Sequence, residues 1–212
     1  MPTDIKICGI TTPAALDAAI KSRATHAGFV FFPPSPRHLT LPAVATLSAR
    51  AAARITRIGL FVNPSDADIA DAIAAAQLDG IQLHGSESPA RTAQIRAQFA
   101  LPVWKALSIA TESDVAKAEN YTAAADLILF DAKTPKGAAL PGGMGLSFDW
   151  NLVSGWKSSP WGLAGGLNPA NVADAIRQTG APLVDTSSGV ESAPGIKDVD
   201  KIAAFAYAAR NC

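Results

Sequence analysis

Eight short apolar runs of strand character recur along this chain at almost even intervals, starting at Ile5, His26, Thr56, Gly80, Val103, Leu127, Trp161 and Leu183. They are rich in branched and aromatic residues, and most are followed by a stretch of helical periodicity. Successive starts lie 21 to 34 residues apart, about what one strand, a three-turn helix and two short loops consume. Eight βα units in series close most economically into a (β/α)8 barrel, because each helix covers one face of a parallel sheet and closure removes both sheet edges. No linker and no break in composition divides the repeat, so residues 1–212 read as a single barrel domain. A doubly wound open sheet is the rival architecture. It would normally carry GxGxxG after the first strand, where this chain has Ile7-Cys8-Gly9-Ile10.

The helical stretches are punctuated. Thr12-Pro13, Asn63-Pro64-Ser65 and Asn168-Pro169 each offer a side-chain cap beside a proline, which signals a helix start. Alanine dominates the interiors, as at Ala14 to Ala19 and Ala70 to Ala76. It favours helix and lets helices approach a sheet closely, so it needs no functional explanation. The sixth unit is irregular: Lys133 to Gly145 is rich in glycine and proline, which predicts a long mobile loop followed by a short helix.

Charge excludes several partners. Lys plus Arg equals Asp plus Glu at 18 each, and a net charge of zero leaves no basic field for nucleic acid or an anionic bilayer. With 49% hydrophobic and 17% charged residues, the chain can bury a core and is not a disordered polymer. The two cysteines, Cys8 and Cys212, are too few for a disulfide scaffold and have no zinc-ligand spacing. No apolar leader and no run approaching a membrane span is visible, so a soluble cytoplasmic protein is expected.

A parallel barrel builds its site at the C-terminal ends of its strands. There the chain places Cys8, Ser35-Pro36-Arg37, His84, Asp131, Gly165-Gly166 and Ser187-Ser188-Gly189. The last two segments suit a phosphate between units seven and eight, since small residues let backbone N–H groups approach an anion near a helix start; the alternative is two tight turns. Cys8 is either a small buried hydrophobe or a base or nucleophile activated by a nearby cation. Asp131 follows the apolar Leu127-Ile128-Leu129-Phe130, where a carboxylate is costly unless it is paired, capping or functional. His84 is either a satisfied core histidine or a donor to substrate. It lacks companions at ligand spacing, so no metal and no cofactor is expected.

The residues around these positions form an ordered series: Lys6-Ile7-Cys8-Gly9-Ile10, Gly28-Phe29-Val30-Phe31, Gly59-Leu60-Phe61-Val62-Asn63, Gln82-Leu83-His84-Gly85, Leu129-Phe130-Asp131, Gly142-Gly143-Met144-Gly145 with Phe148-Asp149-Trp150, Leu163-Ala164-Gly165-Gly166-Leu167 and Asp185-Thr186-Ser187-Ser188-Gly189-Val190-Glu191. The series resembles the phosphoribosylanthranilate isomerase family of tryptophan biosynthesis over nearly the whole chain. Met144 stands where that family usually has a small hydroxyl residue, and Cys212 matches nothing in it.

The resemblance implies an Amadori rearrangement of N-(5-phosphoribosyl)anthranilate to the 1-deoxyribulose 5-phosphate aminoketose. Carried over by motif, Asp131 would protonate the furanose oxygen and Cys8, as a thiolate, would take the C2′ proton. Arg37 would pair with the anthranilate carboxylate, His84 would contact substrate, and Gly165, Gly166, Ser187, Ser188 and Gly189 would hold the phosphate. Such a pair asks for a carboxyl kept protonated and a thiol kept ionised. The enzyme would act on its small-molecule substrate as a monomer or homodimer. Rival readings are another phosphate-binding aldose-ketose isomerase, for which Asp185 is the one competing carboxylate, or a barrel that binds a sugar phosphate without turnover.

Overall fold

Backbone hydrogen bonds between the first and last strands close the sheet, and every other element is arranged around that closure. The computed structural model describes residues 3–132 and 147–212. Strands β1 (Asp4–Cys8), β2 (His26–Phe31), β3 (Thr56–Phe61), β4 (Gly80–Leu83), β5 (Val103–Ile109), β6 (Leu127–Ala132), β7 (Trp161–Leu163) and β8 (Leu183–Thr186) are parallel and form one closed barrel in chain order. Seven begin where the apolar runs predict, and β1 begins one residue earlier. At the seam, Asp4 to Ile7 pair in register with Leu183 to Thr186.

The helices are α1 (Pro13–Lys21), α2 (Leu41–Ala51), α3 (Asp66–Ala76), α4 (Pro89–Phe99), α5 (Glu112–Ala118), α6 (Val172–Thr179) and α7 (Val199–Arg210). None of them is long and apolar enough to cross a membrane. Two of the anticipated caps are made: Thr12 accepts the Ala15 N–H with Pro13 in the first turn, and Ser65 forms a capping box with Asp68. Each satisfies an N–H that the first helical turn leaves unpaired. The third is not made. Asn168 is spent on a turn, its Oδ1 accepting from Ala170 N–H and its own N–H donating to Asn171 Oδ1, and α6 begins only at Val172. Between β6 and β7 the described residues contain a 3-10 turn at Trp150–Leu152 in place of an α-helix. The glycine-rich stretch Lys133 to Gly145, Met144 included, lies outside the described residues.

Alternation along the strands divides the core in two. Outward side chains such as Ile5, Ile7, Ile81, Phe130, Leu163 and Val184 join the helices in one continuous layer. Fully buried alanines at 72 and 76 let α3 lie close to the sheet. Inward side chains fill the barrel, with Ile58, Trp104, Ala106, Leu129, Ala164 and Leu183 packed together and Cys8, Val30 and Leu60 forming a separate cluster. The last helix covers the seam: α7 packs on α1 and β1, with Phe205 and Ile202 fully buried. Phe205→Ala should therefore cost about 3–5 kcal/mol, the usual penalty for emptying an aromatic site in a core. Denaturant unfolding measures this, and a loss under about 1 kcal/mol would mean that α7 does not seal the seam.

Candidate active site

Lys6 and Cys8 sit two residues apart on β1, so both point into the barrel. The thiol fits because β2 offers Gly28 beside it: a Cβ there would lie 2.9 Å from Cys8 Sγ. Lys6 is fully buried and pairs with Asp185 on β8, Nζ to Oδ2, at 2.9 Å, and the two residues are register partners across the seam. Asp185 Oδ1 is buried without a hydrogen-bond partner among the described residues.

Burial works against the Lys6 ammonium, but the charges of Asp185 and Cys8 outweigh it and hold its pKa above the ordinary value. For Cys8 the balance falls the other way. Burial pushes the thiol up, and the lowering pull of Lys6 and Lys197 does not cancel it. The expectation of a thiol already ionised is therefore corrected: in this geometry the cations limit the cost of a buried thiolate without abolishing it.

Across the mouth, Asp131 is 6% exposed at the end of β6. Its Oδ1 accepts the Ala132 N–H at 2.8 Å. Its Oδ2 lies 3.1 Å from His84 Nε2, with the ring nitrogen not aligned for a hydrogen bond. His84 Nδ1 faces the Gln82 amide nitrogen at 3.2 Å. Sequence reasoning gave His84 as a substrate contact, which stays a proposal; its ring also stands beside the Asp131 carboxyl group, with the fully buried Gln82 behind it.

Arg37 lies over Gly9, where a Cβ would meet its Cδ at 2.5 Å. Glu191 grips the guanidinium in a bidentate pair, Nε to Oε1 at 2.7 Å and Nη2 to Oε2 at 2.8 Å. The same carboxylate accepts Lys197 Nζ at 2.7 Å. Burial opposes the Glu191 charge, yet these two cations hold its carboxyl below the ordinary range. Glu191 and Lys197 belong to a hairpin, β9 (Glu191–Ala193) and β10 (Ile196–Lys197), folded into the loop after β8. That hairpin was not foreseen from the eightfold repeat, although Pro194-Gly195 is the turn signal that marks it. It touches the loop after β1, where Thr11 Oγ1 donates to Gly195 O at 3.3 Å.

The presumed anion loops meet edge to edge. Gly165 has φ +83° and an added Cβ would sit 2.4 Å from Ala132 N, so only glycine lets this loop pass the end of β6. Gly189 is as confined, its virtual Cβ lying 2.0 Å from Leu167 O. Thr186 Oγ1 donates to that same carbonyl at 2.7 Å and ties the two loops together. The N–H groups of Gly165 and Gly166 donate to no group among the described residues. The helix start beside them is the 3-10 turn Ser188–Val190, since α6 begins further along the chain. Lys197 Nζ donates to both the carbonyl and the hydroxyl of Ser187 at 2.9 and 3.2 Å, bringing positive charge to this rim.

Lys105 is separate from the mouth. It binds Glu87 at 2.8 Å and Gly85 O at 2.7 Å, and so braces the loop that carries His84. Cys212 is exposed at the opposite end of the chain from Cys8.

Comparison with known proteins agrees with this geometry. Residues 5–208 match the family model described as N-(5'phosphoribosyl)anthranilate (PRA) isomerase. The N-(5'-phosphoribosyl)anthranilate isomerase of Paramagnetospirillum magneticum is 54% identical over 99% of this chain and 98% of its own length. Among solved structures, the phosphoribosyl anthranilate isomerase of Thermotoga maritima superposes with a TM-score of 0.89 at 36% identity, covering 99% of this chain and 100% of that one. A phosphoribosyl anthranilate isomerase in complex with reduced 1-(o-carboxyphenylamino)-1-deoxyribulose 5-phosphate superposes with a TM-score of 0.86 at 33% identity, with the same coverage. A parallel barrel with a thiol and a carboxyl on facing strands, matched along nearly its whole length by these relatives, belongs to the N-(5'-phosphoribosyl)anthranilate isomerase family.

Proposed function

We propose that this chain isomerises N-(5-phosphoribosyl)anthranilate to 1-(2-carboxyphenylamino)-1-deoxyribulose 5-phosphate, with Asp131 as general acid and Cys8 as general base. The observation that carries this reading is the placement of these two side chains, on β6 and β1, inside one mouth whose rim holds the glycine and serine loops. Asp131 gives its proton to the furanose ring oxygen as the C1′–O bond breaks, which leaves an iminium at C1′ and a hydroxyl at C4′. The Cys8 thiolate then removes the C2′ proton. The electrons of that C–H bond form C1′=C2′ and those of the C=N bond return to nitrogen, giving an enolamine. Tautomerisation, with a proton gained at C1′ and one lost from the C2′ hydroxyl, yields the ketone.

Burial of both groups keeps water away from the iminium and lets each act at close range. Arg37, its fork oriented by Glu191, pairs with the anthranilate carboxylate. Gly165, Gly166, Ser187, Ser188 and Gly189 hold the phosphate through backbone N–H groups, with Lys197 adding charge. The setting that fits is cytoplasmic, as a monomer or homodimer, with the small-molecule substrate as the partner.

Turnover of phosphoribosylanthranilate by the purified protein tests the whole reading. Asp131→Asn should lower kcat by about 10²- to 10⁴-fold with the fold retained, since the amide is nearly isosteric and cannot supply the proton. Near-normal kcat would move the acid elsewhere, Asp185 first. Cys8→Ala should lose most turnover, whereas Cys212→Ser should lose none. Because burial raises the Cys8 thiol above its ordinary value, its thiolate is the minor form at neutral pH, and kcat/KM should still be climbing as pH passes about 8. A plateau reached below about pH 7 would contradict that. Arg37→Ala should act mainly on KM, losing a charge-assisted pair of about 1.5–3 kcal/mol, and an unchanged KM would return Arg37 to a purely structural role.

A further inference from the structure

Lys6 and Asp185 are buried charges at the centre of the barrel, with side-chain exposures of 0% and 7%, and the mechanism above gives neither a task. Stability alone does not account for them, since replacing a buried ion pair with apolar side chains is often neutral or stabilising. Their placement is specific. The Lys6 ammonium lies on the same inward face of β1 as Cys8, two residues away, and its charge pulls the thiol pKa down against burial. Asp185 fixes that ammonium from across the seam at 2.9 Å. Its second oxygen has no hydrogen-bond partner among the described residues and feels Asp131 and His84 from the far side. Among the described residues, Lys197 of β10 also acts on the thiol and Arg37 lies over the adjacent Gly9, both held by Glu191. From β2, the strand packed against Cys8, come the bare backbone of Gly28, the apolar side chain of Val30 and, in register with Lys6, His26, whose pKa burial and the Lys6 charge lower to about 4.

We propose that Lys6 is a positioning residue for Cys8: its ammonium, fixed by Asp185, is the counter-ion that allows a thiol inside a dry barrel to carry negative charge and accept the C2′ proton. This deepens the function proposed above and rests on it. In the step concerned, the sulfur lone pair forms the S–H bond, the C2′–H electrons pass into the C1′=C2′ bond, and Lys6 keeps its own proton throughout. Asp185 serves by holding the ammonium at one place between the strands.

The test reads the thiol directly. In a Cys212→Ser background Cys8 is the single cysteine of the chain, and its alkylation by iodoacetamide is followed by intact mass against pH. An opposite charge within about 4–6 Å moves an ionisation by roughly 1–3 units. Lys6→Met should therefore shift the alkylation midpoint upward by at least about one unit, slowing alkylation at pH 8 by about ten-fold or more. Lys6→Arg should restore most of the rate. In turnover, Lys6→Met should lower kcat and leave KM within about two-fold, because no contact to substrate is removed.

Folding does not block the test. Burial already pushes the Asp185 carboxyl toward its neutral form, so it can take a proton when Lys6 is gone, and Lys6→Met/Asp185→Leu removes both charges together. Circular dichroism and cooperative unfolding identify the folded variants. An unchanged alkylation midpoint in either folded variant overturns the proposal, and so does a shifted midpoint with unaltered kcat. Failure of the catalytic reading is distinguishable: Cys8→Ala with full turnover removes the base, whereas the midpoint still reports the coupling between Lys6 and the thiol.

Discussion

A parallel barrel has no edges only if its first strand finds its last, and here one buried ion pair spans that meeting. Lys6 and Asp185 face each other across β1 and β8 in register. A slip of one residue would turn every inward side chain outward and leave a charge uncompensated in the core, an error of about 3–5 kcal/mol. Main-chain hydrogen bonds alone do not discriminate between registers, because each slip recreates them. The pair does, and the same register points Cys8 into the barrel. The strand pairing that closes the fold thus also places the thiol.

That arrangement carries a tension. Enclosure serves a reaction that passes through a hydrolysable iminium, yet it raises the cost of any charge placed inside. Cys8 shows the cost, standing above its ordinary pKa although two ammonium groups act on it. Glu191 shows the opposite balance, for it is buried and touched by two cations, and its carboxyl is held below the ordinary range. The difference lies in partners per charge. Glu191 has a bidentate guanidinium and a lysine in direct contact, whereas the ammonium beside Cys8 makes its ion pair with Asp185.

How much of this could be read beforehand follows from range. Strand positions were legible because branched and aromatic runs are a local signal, and the observed starts coincide with them at all strands but β1. Cys8, Asp131, Arg37 and the two glycine-bearing loops were legible as residues at or just beyond strand ends, where the barrel has its mouth. The partnerships were not legible. Glu191 lies 154 residues from Arg37 and Asp185 lies 179 from Lys6, and nothing in the local pattern of either residue names the other. Lys6 itself reads as an ordinary polar residue alternating with isoleucines until closure shows that its face is the interior. Asn168 misled for the reverse reason: its local chemistry allows a cap, but the loop after β7 must first pass Thr186 and Gly189, so the helix starts later.

The Arg37–Glu191 clasp joins the loop after β2 to the hairpin after β8, and Thr11 adds the loop after β1 through Gly195. These three loops are distant in sequence but mechanically one piece. Transplanting the loop after β2 into another barrel would leave Arg37 without the carboxylate that aims it, and transplanting the hairpin alone would bury a carboxylate missing its guanidinium. Recombination at this rim therefore has a natural unit larger than the single βα loop: a set of segments that stays functional only when exchanged together.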